Sequence, residues 1–209
     1  MQDTRETLMK TFKQHITERY NQMATIIAML EQDKFQYSMD LKSYLADKSY
    51  IEEIGEGFYS TVLGGTKGQE VLVKITRQSD PASWDYLSSC YKGELAGNAL
   101  APRVYYMHNF NDRGGLAAFL EPLKVDTDEN FDWLRRNGVK MRNLRYGHYY
   151  SGKFKEAFAK AGIPAEDTQK WIDVVGDMLE KNDYNMDLHI GNFGFRKNGQ
   201  LVLFDPIAS

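Results

Sequence analysis

Apolar residues Leu8, Phe12, Met23, Ile26, Ile27 and Leu30 recur at helical spacing between charged residues, which predicts helix from residue 3 to about 47. Asp3 or Thr4 stands where an N-cap belongs, and the stretch holds no glycine or proline. The texture changes near Tyr50. Gly-rich turns and β-branched runs over 50–63 and 70–76 predict a hairpin followed by a strand. Pro81 opens a predicted helix over 82–92. Val104 to Met107 and Leu116 to Leu120 predict two more strands around a polar turn at 109–115. Helical spacing returns over 127–137, 152–161 and 166–182, with Gly138 and Gly162 placed to end the first two. The last 23 residues switch to short strands, Asn192 to Phe195 and Leu201 to Phe204, joined at Lys197-Asn198-Gly199; Asn-Gly is a strong hairpin signal. Sheet, then helices, then a hairpin predicts a two-lobed α+β protein. The expected organisation is a helical extension over 1–48 and a domain over 49–209, with a sheet-rich lobe at 49–122 and a reduced helical lobe at 123–209.

Composition adds limits. An apolar content of 42% is ordinary for a chain with a hydrophobic core. A net charge of -3 gives no electrostatic case for nucleic acid binding. Arg135, Arg136, Lys140, Arg142 and Arg145 cluster locally, as a solvated face or as a docking surface for an acidic partner or phosphate. Cys90 is the only cysteine, which excludes an intrachain disulfide and a cysteine metal cluster and suits a reducing compartment. It reads as a small core residue rather than a reactive thiol. No apolar run of about 18 residues exists and the N-terminus lacks a signal-peptide pattern, so a cytoplasmic protein without membrane contact is expected.

Four features carry candidate chemistry, and their order matters more than any one of them. Ile54-Gly55-Glu56-Gly57-Phe58-Tyr59-Ser60-Thr61-Val62 has two glycines that let backbone approach a bulky anion, then an aromatic and a valine at the offsets of a kinase glycine-rich loop. Ser60 replaces the third glycine. Val71-Leu72-Val73-Lys74 closes an apolar strand on a lysine. Such a lysine is either an edge residue that discourages strand addition or a contact to α- and β-phosphates; a spacing of twelve residues from Val62 favours the second. Asp187-Leu188-His189-Ile190-Gly191-Asn192 sets an aspartate and an asparagine five residues apart, the separation of a catalytic base and a metal-binding amide. His189 has a structural and a functional reading that spacing does not separate. Leu201-Val202-Leu203-Phe204-Asp205-Pro206 ends an apolar strand on a carboxylate, thirteen residues past Asn192 with the hairpin between them. A carboxylate and an amide oxygen suit a hard cation such as Mg²⁺.

With these four motifs the chain resembles the protein-kinase-like superfamily, and within it the early-expressed serine/threonine kinase of T-odd podophages (autographiviruses). The resemblance runs from about Ile51 to Ser209. It implies a protein-kinase-like fold and ATP- and Mg²⁺-dependent transfer of the γ-phosphoryl group to Ser or Thr of host proteins, early in infection and in the host cytoplasm. It also implies roles. Gly55, Gly57, Ser60 and Val62 would cover the nucleotide, Lys74 would bind the phosphates, and Asp187 would be the base. Asn192 and Asp205 would hold metal, and Glu121-Pro122-Leu123 would be the hinge whose backbone meets adenine. Two departures stand out. The helix after Lys74 offers Asp85, with Glu94 beyond its end, and neither is a convincing carboxylate partner for the lysine. The sequence runs four residues past Asp205, so no activation segment is expected. The rival readings are a pseudokinase-like binding module that blocks a host enzyme, and a small-molecule phosphotransferase. The N-terminal helices read as a brace or a homodimer surface.

Overall fold

The computed structural model describes residues 23–47, 52–56, 60–64, 71–76, 80–110, 115–139 and 152–209. They form a mixed α+β structure with a five-stranded antiparallel sheet. The strands are β1 (Glu52–Glu56), β2 (Ser60–Gly64), β3 (Leu72–Thr76), β4 (Val104–Asn109) and β5 (Leu116–Leu120), in spatial order β1-β2-β3-β5-β4. β3 is therefore central. All five residues of β5 are buried, which is why it reads as an unbroken apolar run rather than an alternating one.

The chain divides into two compact units, residues up to Gln36 and Tyr37–Ser209. In the first, helix α1 covers 23–31. The helix expected to continue to residue 47 breaks here. Asp33 adopts a left-handed conformation (φ 51°) and Lys34 N–H donates to the Met29 carbonyl at 3.0 Å, the geometry of a Schellman stop. Aspartate tolerates this conformation at small cost, so no glycine marked the stop. In the second unit, helix α2 (Ser38–Asp47) restarts with the Asp40 carboxylate accepting from Tyr37 N–H at 2.9 Å. Ser38 Oγ donates to the Thr76 carbonyl (2.6 Å) and Lys42 Nζ to Thr61 Oγ1 (3.1 Å), which ties α2 to β2 and β3. The division at 36/37 thus places α2, part of the expected extension over 1–48, in the same unit as the sheet.

Helix α3 (Pro81–Lys92) begins where Asp80 Oδ1 caps Ser83 N–H at 3.1 Å, with proline in the first turn. Helix α4 (Thr127–Arg136) is capped by Asp126, whose Oδ1 accepts from Asp128 and Glu129 N–H. Helices α5 (Gly152–Lys160) and α6 (Ala165–Asn182) follow. Gly138 and Gly162 end α4 and α5 in left-handed conformations, with Val139 N–H reaching the Leu134 carbonyl and Ile163 N–H the Phe158 carbonyl. Buried Thr168, Trp171, Ile172, Val175 and Gly176 give α6 one inward stripe at helical period.

Two short pairs close the chain. β6 (Asn185–Met186) pairs with β9 (Ile207–Ala208), and β7 (Phe193–Phe195) with β8 (Leu201–Leu203). Lys124 and Phe195 exchange backbone hydrogen bonds of 2.8 and 2.9 Å. The chains come so close there that a Cβ on Gly194 would sit 2.8 Å from the Lys124 carbonyl oxygen. One continuous buried cluster joins α3, β5, α4, α5, α6 and β7–β9, with Trp171, Tyr86 and Phe158 at its centre. Each such side chain contributes about 1.5–3 kcal/mol of burial. Cys90 lies in this cluster; burial pushes its thiol pKa up, so it is a core residue. No helix among the described residues is long and apolar enough to cross a membrane.

Candidate functional site

The site is assembled by two sheets meeting at α3. Cross-strand register places Val62, Lys74, Ala118 and Met107 in one row, so their side chains share a face of the five-stranded sheet. Lys74 sits on the central strand and is 3% exposed. A buried lysine on a central strand cannot protect an edge, which rules out that reading. A buried ammonium needs partners, and Lys74 Nζ has two. It lies 2.7 Å from Asp205 Oδ1 and 3.0 Å from Ser83 Oγ. Ser83 Oγ in turn donates to Asp205 Oδ1 at 3.1 Å, closing a triangle.

Ser83 is the functional candidate that sequence reasoning missed. The helix after Lys74 does meet the lysine, but with a hydroxyl from its first turn rather than a carboxylate. Asp85 lies two residues on, about 200° around the helix. It accepts instead from Tyr184 OH (2.8 Å) and Asn182 Nδ2 (3.2 Å). Burial, then the Asp85 hydrogen bond, push Tyr184 up to about 12. The only sequence clue to Ser83 is its position in the capped turn Asp80-Pro81-Ala82-Ser83. Because the direct ion pair survives without it, Ser83→Ala is expected to lower stability by only about 1 kcal/mol in urea denaturation. A loss several times larger would show that the hydroxyl supports more than this pair.

Asp205 reaches Lys74 because the strand before it is held from two sides. Leu203 N–H donates to the Leu100 carbonyl at 2.8 Å, and Tyr86 OH on α3 donates to the Leu203 carbonyl. Trp171 Nε1–H donates to the same hydroxyl at 3.2 Å, and burial raises the Tyr86 pKa well above its ordinary value.

The β6–β9 pair brings Asp187 beside this strand, with Asp187 N–H donating to the Pro206 carbonyl at 2.8 Å. Asn192 is joined to the same strand, its carbonyl accepting from Phe204 N–H at 3.1 Å. Within the loop, Asn192 Nδ2 donates to the Asp187 carbonyl (2.6 Å) and to Asp187 Oδ2 (3.2 Å). With its amide nitrogen so engaged, Asn192 presents Oδ1 as its remaining polar atom. His189 Nδ1 accepts from Gly191 N–H at 3.0 Å, which places its ring proton on Nε2, 3.8 Å from Asp187 Oδ2. His189 thus holds the turn with one nitrogen and faces the aspartate with the other. The Asp187 side chain is half exposed.

The other expected site residues lie elsewhere or are seen only in part. Gly55 and Ser60 are strand residues paired with Val62 and Thr76, and β1 has a bulge between Glu53 and Gly55. Gly57 lies outside the described residues. The Glu121 carboxylate is buried in the fork of Arg196, with contacts of 2.7–3.0 Å from Nε and Nη2. Its backbone N–H donates to the Arg103 carbonyl at 2.9 Å, so a nucleobase contact here would need other backbone atoms. Leu123 lines an open groove with Trp133, Phe195 and Arg136. In the basic cluster, Arg135 pairs with exposed Asp132 at 3.0 Å, as on a solvated face; Lys140, Arg142 and Arg145 lie outside the described residues.

No cluster of three or more His, Cys, Asp or Glu is assembled for a metal among the described residues. The oxygens of Asn192 and Asp205 fit a different kind of site, one that binds Mg²⁺ through one or two protein oxygens plus phosphate and water. No protein-family model matches this chain, and no curated protein matches its sequence.

Proposed function

We propose that the chain is a protein-kinase-like phosphotransferase that binds ATP with Mg²⁺. The observation that carries this reading is the Lys74–Asp205 contact of 2.7 Å, in which a central-strand lysine meets the aspartate that follows a short hairpin. More particularly, we propose a compact two-lobed serine/threonine protein kinase of the podophage type, acting on host proteins in the host cytoplasm early in infection.

In this mechanism the glycine-bearing β1–β2 turn covers the nucleotide and Lys74 steadies its phosphates. Asn192 Oδ1 and the Asp205 carboxylate would hold the metal. Magnesium, when bound, supplies charge neutralisation of the phosphate oxygens. Asp187 accepts the proton of the attacking hydroxyl, and its half-exposed carboxylate suits an acceptor that arrives from solvent. Phosphoryl transfer asks little covalent chemistry of the protein, so positioning and electrostatics carry the rate.

Calorimetry with ATP, with and without Mg²⁺, tests the nucleotide claim; no heat in either condition from folded protein would sink it. Lys74→Met is expected to keep the fold and weaken Mg·ATP binding by about tenfold or more, the scale of one charge-assisted contact. The apolar side chain suits the buried strand position, and Asp205, partly exposed, is left to solvent. Radiolabelled ATP and host lysate then test transfer. Nucleotide binding without any labelled protein would favour the binding module.

A further inference from the structure

We infer that Asn130 is the positioning residue for the loop that presents Asp187 and Asn192. The inference rests on the reading of that loop as a metal- and acceptor-binding element. Asn130 lies on α4, far from the loop in sequence, and is 0% exposed. Its Nδ2 donates to the Ile190 carbonyl at 2.7 Å and to the Phe193 carbonyl at 2.8 Å. These two carbonyls bracket Gly191 and Asn192. One amide group therefore pins both ends of the tightest part of the turn.

The other end of the amide shows how committed this arrangement is. Asn130 Oδ1 is buried and has no hydrogen-bond partner among the described residues. Flipping the amide would face that oxygen against two carbonyls, so the network sets the orientation. A buried acceptor without a partner is costly. The helix bears this cost, at a position whose neighbours Trp133 and Leu134 are apolar and buried, and what the amide provides in return is the hold on the loop. From there the constraint runs onward. Asn192 N–H bonds the His189 carbonyl, and the Asn192 carbonyl bonds Phe204 N–H, next to Asp205. Asn130 thus fixes Asn192 relative to Asp205 without touching a ligand itself.

Asn130→Leu keeps bulk at the site and removes the donors; Asn130→Ala removes both. Hydrogen exchange of residues 187–193, compared with β3 and β5, reads the hold directly. Both variants are expected to speed exchange in the loop by about tenfold or more, for the loss of two hydrogen bonds, with β3 and β5 unchanged. Calorimetry over a Mg²⁺ series should show the variants needing about tenfold more Mg²⁺ for the same ATP affinity, while ATP binding without metal is unaltered. Loop exchange equal to wild type overturns the inference, as does a uniform rise across the chain with unchanged Mg²⁺ dependence. Wild-type protein that binds no Mg·ATP would overturn the kinase-like reading and the metal role together, and exchange would then decide the loop restraint alone.

Discussion

Asp187→Asn is expected to keep the fold and the affinity for Mg·ATP and to cut phosphoryl transfer by on the order of 10² or more, the usual scale for losing a general base. The substitution is nearly isosteric. Its backbone contacts to Pro206, His189 and Asn192 are untouched, because the N–H and carbonyl of residue 187 make them. Only the charge of a half-exposed carboxylate is lost. Asp205→Asn should behave differently. It retains an oxygen for Lys74 and Ser83 but removes the anionic metal ligand, so Mg·ATP binding itself should weaken. Single-turnover assays on the two variants, beside calorimetry, separate base from ligand. If Asp187→Asn transfers phosphate as fast as wild type, Asp187 is not the base. If both variants have the same effect as wild type when expressed in host cells, phosphoryl transfer does not account for that effect.

Arg196→Ala should cost about 3–5 kcal/mol of folding stability, the scale for breaking a buried ion pair from one side. The arginine and Glu121 are almost completely buried, and the guanidinium also donates to the Ala99 and Ala101 carbonyls at 2.8 Å each. Removing it leaves Glu121 charged and buried with only the Arg103 N–H for company. Arg196→Lys should recover little, because an ammonium cannot reach that spread of acceptors as a planar fork does. Joint replacement of Arg196 and Glu121 by methionine should restore part of the loss and no more, since the Ala99 and Ala101 carbonyls stay unpaired. Denaturant unfolding of the three variants checks the order. A cost below about 1 kcal/mol for Arg196→Ala would mean that solvent reaches Glu121 freely. The pair joins the end of β5 to the β7–β8 hairpin, so its loss should also loosen the approach to Asp205.

The local elements were written in the chain. Pro81 announces a helix start, Gly138 and Gly162 announce stops, and Asn198-Gly199 announces the last hairpin, because capping and turn chemistry act over a few residues. β1–β5, α3–α6 and the β7–β8 hairpin follow that text closely, and with them the mixed α+β class; the separate helix α2 and the β6–β9 pair were not expected. The stop at Asp33 did not show, because a non-glycine residue took the left-handed conformation. The order of Lys74, Asp187, Asn192 and Asp205 was also legible, since spacing along one strand or one tight turn is a local property. What faces what was not. That Lys74 lies on a central strand, that its helix partner is Ser83 and not Asp85, that Glu121 is held by Arg196, and that Asn130 pins the loop all depend on contacts between distant segments. Such pairings leave no periodic mark in sequence. They are chosen when packing removes water and every buried polar group must find a partner within about 3 Å.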